Sequence, residues 1–166
     1  MIKTNRLILK PLDDSDQDSM IDMFTNEQIK QTYMLPDFPS KENAAKLFKR
    51  MQVITQNANT IDCGIYQQNT LIGFMNTVVI EDKKIEIGYV IHPQFQNQGY
   101  ATEAFQAIIK KAFEIGYNEV VTGAFEENTA SRRVMEKCGM RLSAEEEDIK
   151  YRGKTHHCVY YSIAKS

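Results

Sequence analysis

A glycine-containing loop, Gln96-Asn97-Gln98-Gly99-Tyr100-Ala101, lies between an apolar run at 85–91 and a helical pattern from Thr102 to Phe113. His92-Pro93 ends the strand that the apolar run predicts. A strand, a short loop and a helix start in this order direct backbone N–H groups and the positive end of the helix dipole at one point. This arrangement suits an anion, so the sequence predicts a site for a phosphate-bearing cofactor.

Glu86 is the titratable side chain best placed for acid–base chemistry. It lies between Ile85 and Ile87, and because side chains alternate along a strand, its carboxylate faces away from these apolar neighbours. A carboxylate in that position is a candidate general base. The alternative interpretation is a solvated or hydrogen-bonded glutamate of an ordinary strand.

Three separated motifs give the chain a resemblance to the GCN5-related N-acetyltransferases (GNAT). Gln96-x-x-Gly99-x-Ala101 is similar to the family's Gln/Arg-x-x-Gly-x-Gly/Ala loop. The segment from Asn128 to Met140 resembles its second signature, Asn-x-x-Ser/Ala-x-Arg-x-x-Glu-Lys-x-Gly-Phe/Met. The opening, Thr4 to Pro11, and the run 99–104 resemble the branch of ribosomal-protein N-terminal acetyltransferases (RimJ/RimL-like). The motifs follow the family's order and cover nearly the whole chain.

The resemblance implies an α+β fold in a single domain, residues 1–166. The implied sheet is mixed and twisted, has about seven strands with helices on both faces, and is splayed between its fourth and fifth strands. In the family the pantetheine arm of acetyl-CoA, the co-substrate, lies in this splay, where unpaired backbone groups bind its amides. The implied cofactor-binding residues are Tyr89, Val90, Ile91, Gln96, Asn97, Gln98, Gly99, Tyr100, Ala101, Thr102, Asn128 and Ser131.

Glu86 and Ser131 are the candidate catalytic residues. Family members often place a catalytic carboxylate at the position of Glu86, where it acts directly or through water. Ser131 lies one turn into a helix, where its hydroxyl could protonate the CoA sulfur, although an ordinary helix serine explains it as well. Asn128 has a complete explanation as a helix N-cap, which is compatible with a hydrogen bond to the cofactor arm or to an ordered water.

Met135 stands where many family members carry a tyrosine that serves as the general acid. Ser131, water, or another tyrosine such as Tyr151 or Tyr160 must then supply the proton. Otherwise the thiolate leaves without assistance.

Periodicity and breakers predict the surrounding elements. Apolar residues have helical spacing at 20–24 and again at 44–54, the latter after the N-cap candidate Ser40. The region 61–91 has the short apolar runs of an antiparallel meander. A strand at 119–125 follows the helix that ends at Gly116, and because this is a βαβ crossover, we expect that strand to run parallel to 85–91. Two last strands, 140–150 and 156–164, are joined by a turn at 152–153.

Composition is ordinary for a soluble protein, with 42% hydrophobic and 25% charged residues. No apolar run approaches the roughly 20 residues that span a bilayer, and no secretory signal is recognisable. A net charge of −2 argues against a nucleic-acid partner. The odd cysteine count, Cys63, Cys138 and Cys158, indicates buried or semi-buried thiols in a reducing compartment, so we expect a cytoplasmic protein. His156 and His157 should face opposite sides of a strand with no third ligand near, so we expect no metal site.

The sequence therefore predicts an enzyme that moves an acetyl group from acetyl-CoA to a primary amine by direct attack in a ternary complex. The acceptor is either a protein N-terminus or a small molecule such as a polyamine, amino sugar or antibiotic, and the enzyme is a monomer or homodimer without membrane partners. The charge run Glu145–Asp148 is either a solvated face or an attractor of a cationic substrate. The alternative function is a non-catalytic acyl-CoA-binding or protein-interaction module, which only the methionine at position 135 supports.

Overall fold

The structure, a computed structural model, describes residues 1–166 as five α-helices and eight β-strands. The helices are α1 (Gln17–Thr25), α2 (Glu27–Lys30), α3 (Lys41–Thr55), α4 (Tyr100–Glu114) and α5 (Thr129–Lys137). The strands are β1 (Ile2–Lys3), β2 (Ile8–Lys10), β3 (Cys63–Gln67), β4 (Thr70–Glu81), β5 (Lys84–Ile91), β6 (Glu119–Phe125), β7 (Arg141–Tyr151) and β8 (Lys154–Ala164). Short 3₁₀ turns at Asp14–Asp16 and Pro93–Phe95 precede α1 and the glycine loop.

The strands form one mixed sheet in the order β1-β2-β3-β4-β5-β6-β8-β7. β5 and β6 run parallel, as the crossover pattern predicts, whereas β1 to β3 pair antiparallel with their neighbours and β8 pairs antiparallel with both β6 and β7. The α+β class and the mixed sheet are thus confirmed. The sheet has eight strands instead of about seven, because Ile2 and Lys3 pair with β2 after a tight turn at Thr4–Leu7.

The chain forms two compact units. The first unit comprises Met1–Asn76 and Tyr89–Ala104, and the second comprises Thr77–Gly88 and Phe105–Ser166. The glycine loop therefore belongs to the first unit, and Glu86 belongs to the second.

The first unit has an apolar core supplied by α1 to α3 and by its strands. Phe24, Phe48 and Phe74 are at most 1% exposed and belong to one cluster. The rings of Phe24 and Phe74 meet edge to face, with centroids 6.0 Å apart. Ser40 begins α3 as predicted, because its hydroxyl accepts a hydrogen bond from the Asn43 N–H at 3.3 Å.

The second unit is built on the antiparallel strands β6, β8 and β7. β6 pairs with β8 over its whole length, from Glu119 opposite Ala164 to Phe125 opposite Cys158. Gly123 of β6 lies against the ring of Tyr160, and a Cβ atom there would come within 2.9 Å of Tyr160 Cε1. Because Gly123 has no side chain, the Tyr160 ring can pack directly against the backbone of β6.

The three cysteines form no disulfide and are buried, as the sequence predicts. Burial raises the pKa of the Cys138 and Cys158 thiols to about 11. None of the helices combines the length and the apolar character that crossing a bilayer requires.

Candidate active site

The glycine loop has two residues with positive φ, Asn97 at 61° and Gly99 at 82°. Residues 96–99 are exposed, and the Gln96 side chain donates to the Ile91 carbonyl at 2.9 Å, which ties the loop to the end of β5. The first N–H groups of a helix have no acceptor within that helix, and in α4 these groups follow Gly99. The loop thus combines an accessible backbone with a helix start, the two features that an anion site needs.

The end of β5 lies in the same unit as this loop. Val90 and Ile91 are each 5% exposed, so their side chains belong to the core and only their backbone is suited to a ligand. The backbone of β4 approaches this segment closely, because a Cβ atom on Gly73 would lie 2.2 Å from the Val90 carbonyl oxygen. Tyr89, Val90 and Ile91 belong to the first unit, which also contains residues 96–102. The two segments proposed to bind the cofactor backbone are thus part of the same compact unit.

The parallel ladder between β5 and β6 is short. It pairs Lys84 with Glu119, Ile85 with Val120 and Glu86 with Val121. One residue further along, the Thr122 hydroxyl donates to the Ile87 carbonyl at 2.8 Å, a side-chain bond in place of a backbone rung. The ladder thus opens after its third pair, at the strand pair where a splay is expected.

Glu86 lines a cavity of about 460 Å³ in the second unit. The cavity is acidic, with five carboxylates and one lysine among its lining residues, which are Val79, Glu81, Lys84, Glu86, Val121, Ala144, Glu145, Glu146, Glu147 and Tyr160. The Lys84 Nζ and Glu145 Oε1 atoms are 3.6 Å apart, so the lysine charge is partly offset by one of the carboxylates. The remaining excess of negative charge makes the cavity suited to a cation.

The pKa of Glu86 is raised above the usual range of a glutamate. Burial is the main cause, and the negative charge of Glu147 adds to it, whereas Lys84 acts in the opposite direction. A carboxylate with a raised pKa is a stronger base, which brings Glu86 closer to the requirements of a general base near neutral pH.

Tyr160 shares the cavity with Glu86 and donates a hydrogen bond to Glu147 Oε2 at 2.7 Å. Burial, together with this hydrogen bond to a carboxylate, raises the pKa of the phenol, so Tyr160 retains its proton at neutral pH. Tyr151 lies elsewhere, in an aromatic cluster with Phe125 and His156 whose ring centroids are 6.2 and 6.0 Å away. Of the two tyrosines that the sequence offers, Tyr160 is therefore the one beside Glu86.

Asn128 and Ser131 lie together at the start of α5, outside the lining of the Glu86 cavity. Asn128 is the N-cap, since its side-chain oxygen accepts from the Ser131 N–H at 3.2 Å. Both residues are partly exposed, whereas Met135 is 0% exposed and packs in the core. Met135 therefore has a structural role.

The acidic run 145–148 is divided between two roles. Glu145, Glu146 and Glu147 line the cavity, while Asp148 Oδ1 accepts a hydrogen bond from His157 Nδ1 at 2.8 Å. His156 instead stacks on Phe125, with ring centroids 4.1 Å apart, so the adjacent histidines face different surroundings, as strand alternation predicts.

The hydrogen bonds that Arg6 makes beside the loop could not be predicted from the sequence. Its guanidinium donates to the Gln98 carbonyl and to Glu103, each at 2.8 Å. The motif from Thr4 to Pro11 indicated a family branch, but Arg6 and Glu103 are 97 positions apart and no local pattern connects them.

The mixed sheet and the glycine loop before α4 agree with the acyltransferase fold that the motifs imply, and comparisons with known proteins identify the family. The family model described as "Acetyltransferase (GNAT) domain" matches residues 6–141 of this chain. The chain therefore belongs to the GNAT acetyltransferase family, and it is an acetyl-CoA-dependent N-acetyltransferase.

Individual proteins agree with this assignment. The chain is 28% identical over 171 residues to the uncharacterized N-acetyltransferase YoaA of Bacillus subtilis, covering 99% of this chain and 97% of the relative. A GNAT acetyltransferase structure from Bacillus anthracis has a TM-score of 0.83 at 25% identity, covering 98% and 97% of the two chains. RimL, the ribosomal L7/L12 alpha-N-protein acetyltransferase in complex with coenzyme A, has a TM-score of 0.83 at 22% identity over 97% and 95% of the chains, a likeness of fold.

Proposed function

We propose that this enzyme acetylates a primary amine on a cationic acceptor by direct attack in a ternary complex, with Glu86 as the general base. The observation that carries the proposal is the acidic cavity in which the carboxyl group of Glu86 has a raised pKa. Acetyl-CoA supplies the activated acetyl group as a thioester. The chain's own residues bind the two substrates and move the protons.

Cofactor binding is assigned to the first unit and to the start of α5. Backbone N–H groups at 96–102 hold the diphosphate, which the positive φ of Asn97 and Gly99 favours because it brings successive N–H groups to one side. The backbone of Tyr89–Ile91 binds the pantetheine amides. Asn128 completes the set with a hydrogen bond to the same arm, alongside its role as a cap.

The acidic cavity makes a base necessary. At pH 7 an α-amino group with a pKa of about 8 is roughly one-tenth neutral, whereas a lysine-like amine is neutral in about one molecule in a few thousand. Carboxylates that attract an ammonium group also favour its charged form. Glu86 therefore has to accept the amine proton, directly or through a water molecule, before or during the attack.

The departing sulfur needs less help than the amine. A thiol has a pKa of about 8.5, so a hydrogen bond is enough to stabilise its anion until water protonates it. The Ser131 hydroxyl is assigned to that hydrogen bond. Tyr160 holds its proton too tightly to act as the acid, and its role is to fix the Glu147 carboxylate beside Glu86.

A protein N-terminus is the first candidate acceptor. RimL, which shares the fold, is described as an alpha-N-protein acetyltransferase, and an α-amino group has the lower pKa of the two common amine types. Small polyamines are the second candidate, because four further carboxylates line the cavity beside Glu86. A turnover screen that measures released CoA thiol with peptides and with polyamines distinguishes the two.

The substitution Glu86→Gln tests the mechanism. We expect kcat/KM with the preferred acceptor to fall by about 10²–10⁴-fold and the acidic limb of its pH profile to disappear, while the Kd of CoA from calorimetry stays unchanged. Glu114→Gln on α4, an exposed glutamate, is the matched control and should behave as wild type. An unaltered pH profile in Glu86→Gln would remove Glu86 from the mechanism.

A further inference from the structure

We propose that Arg6 is a positioning residue for acetyl-CoA binding, which presets the glycine loop for the CoA diphosphate by clamping the N-terminal segment to the start of α4. The inference rests on the proposed role of that loop. It concerns residues of the first unit only, and the motifs assign no role to Arg6 or Glu103.

The clamp consists of short, charge-assisted hydrogen bonds. Arg6 Nε donates to Glu103 Oε2 at 2.8 Å, and the Arg6 backbone N–H donates to Glu103 Oε1 at 2.7 Å. The Thr4 hydroxyl donates to the same Oε1 at 2.6 Å. Glu103 is thus held by three donors from one short segment, which fixes that segment on the first turn of α4.

The guanidinium also orients the loop backbone. Arg6 Nη1 donates to the Gln98 carbonyl at 2.8 Å. In a planar trans peptide the C=O and N–H groups point in opposite directions, so the N–H of Gly99 is directed away from Arg6. The hydrogen bond from Arg6 to the Gln98 carbonyl therefore directs the Gly99 N–H to the opposite side of the loop, where we propose that the diphosphate binds.

Two neighbours hold the guanidinium and the loop in register. The Arg6 guanidinium lies 4.5 Å from the centroid of the Tyr100 ring, and the Tyr100 hydroxyl accepts from Gln67 Nε2 at 2.6 Å. Gly99 leaves little room beside them, because a Cβ atom there would be 3.1 Å from Arg6 Nη2. The clamp and the glycine are therefore fitted to each other.

Charge compensation is the second function of the clamp. Burial acts to raise the pKa of Glu103, but the hydrogen bonds from Thr4 and Arg6 outweigh it and lower that pKa, so the group is ionised. A carboxylate in the first turn of α4 would compete with a diphosphate for the positive helix end. Arg6 neutralises the carboxylate and leaves the helix start to the ligand.

The test uses Arg6→Ala and Arg6→Lys in the full chain, with Arg50→Ala on α3 as a matched exposed control. We expect Arg6→Ala to raise both the calorimetric Kd of CoA and the KM of acetyl-CoA by about 10–100-fold, with kcat changed less than about threefold. Arg6→Lys keeps the charge, but a lysine has no planar fork with which to bind Glu103 and Gln98 together. Its Kd for CoA should therefore lie between those of wild type and Arg6→Ala. Arg50→Ala should match wild type.

A second pair of variants separates compensation from folding. Adding Glu103→Gln to Arg6→Ala removes the unpaired carboxylate and should recover part of the lost CoA affinity, at a melting temperature no higher than that of Arg6→Ala. If both Arg6→Ala and Arg6→Lys bind CoA with wild-type affinity, the proposed role of Arg6 is wrong, whereas the assignment of the loop to the diphosphate is unaffected. If the wild-type protein binds no CoA, the loop assignment itself is overturned, and the clamp with it.

Discussion

The basicity of Glu86 depends on residues that are distant in the chain. Its position on a strand could be predicted from the alternation of Ile85, Glu86 and Ile87, and the same alternation predicts that its carboxylate faces away from these apolar neighbours. Its raised pKa could not, because burial and the charge of Glu147 cause it, and Glu147 comes close only through the packing of the last two strands. The chemistry of this residue is therefore a property of the folded chain.

Glu147→Gln should shift the acidic limb of the kcat/KM profile to lower pH. Removing a negative charge beside Glu86 makes its ionised form easier to reach, so its pKa falls toward the ordinary glutamate value. The measurement is the pH dependence of kcat/KM at saturating acetyl-CoA. Glu114→Gln is the matched control, since it removes the charge of an exposed glutamate on α4. If the acidic limb of the kcat/KM profile does not move in Glu147→Gln, the charge of Glu147 does not affect the pKa of Glu86.

Among the elements, the β7–β8 hairpin determines which carboxylates reach the cavity. Its turn at Arg152-Gly153, with φ of 53° and 73°, was predictable from residue types. The pairing of β7 with β8 shifts in register between Leu142 and Glu146. Alternation along a regular strand would not bring three successive residues, 145–147, to one cavity, so this irregularity accounts for the acidic lining and explains why the sequence pattern could not predict it.

The same hairpin should have a pH-dependent contribution to stability through His157. A hydrogen bond with Asp148 is the main cause that raises the pKa of His157 in the folded state, and Glu146 adds to it. A raised pKa means that the stabilisation is complete below the unfolded pKa of about 6.5 and is lost as pH rises through the folded value. His157→Gln should therefore lower Tm at pH 6 by about 1–3 °C and leave it unchanged at pH 9, since the pair is exposed. An equal loss at both pH values would contradict the ion-pair explanation.

For the whole molecule, three motifs in the right order predicted the fold class through the family resemblance. The crossover pattern predicted the parallel β5–β6 pair, and the order of strand, glycine loop and helix predicted the connection between β5 and α4. The eighth strand escaped prediction because Ile2 and Lys3 show no strand pattern of their own and pair only once the Thr4–Leu7 turn has formed. Arg6 escaped for a related reason, since its partners Gln98 and Glu103 follow more than ninety residues later. Long-range contacts of this kind have no signature in local periodicity.

The overall charge of −2 hides the concentration of carboxylates around Glu86. If these carboxylates attract the acceptor, its KM should depend on salt and on the acceptor's own charge. We expect KM to rise several-fold between about 0.05 and 0.5 M NaCl for a dicationic acceptor, and clearly less for a monocationic amine of the same length. Equal salt dependence for the two amines would argue against an electrostatic role of the cavity.

The burial of Cys63, Cys138 and Cys158 has a practical consequence for activity assays. With a thiol pKa of about 11, Cys138 and Cys158 are ionised in only about one molecule in a thousand at pH 8, and thiolate is the form that reacts with disulfide reagents. A colorimetric titration of sulfhydryls during turnover will therefore report the coenzyme that is set free, with little background from the folded polypeptide, and a rising blank will reveal unfolding.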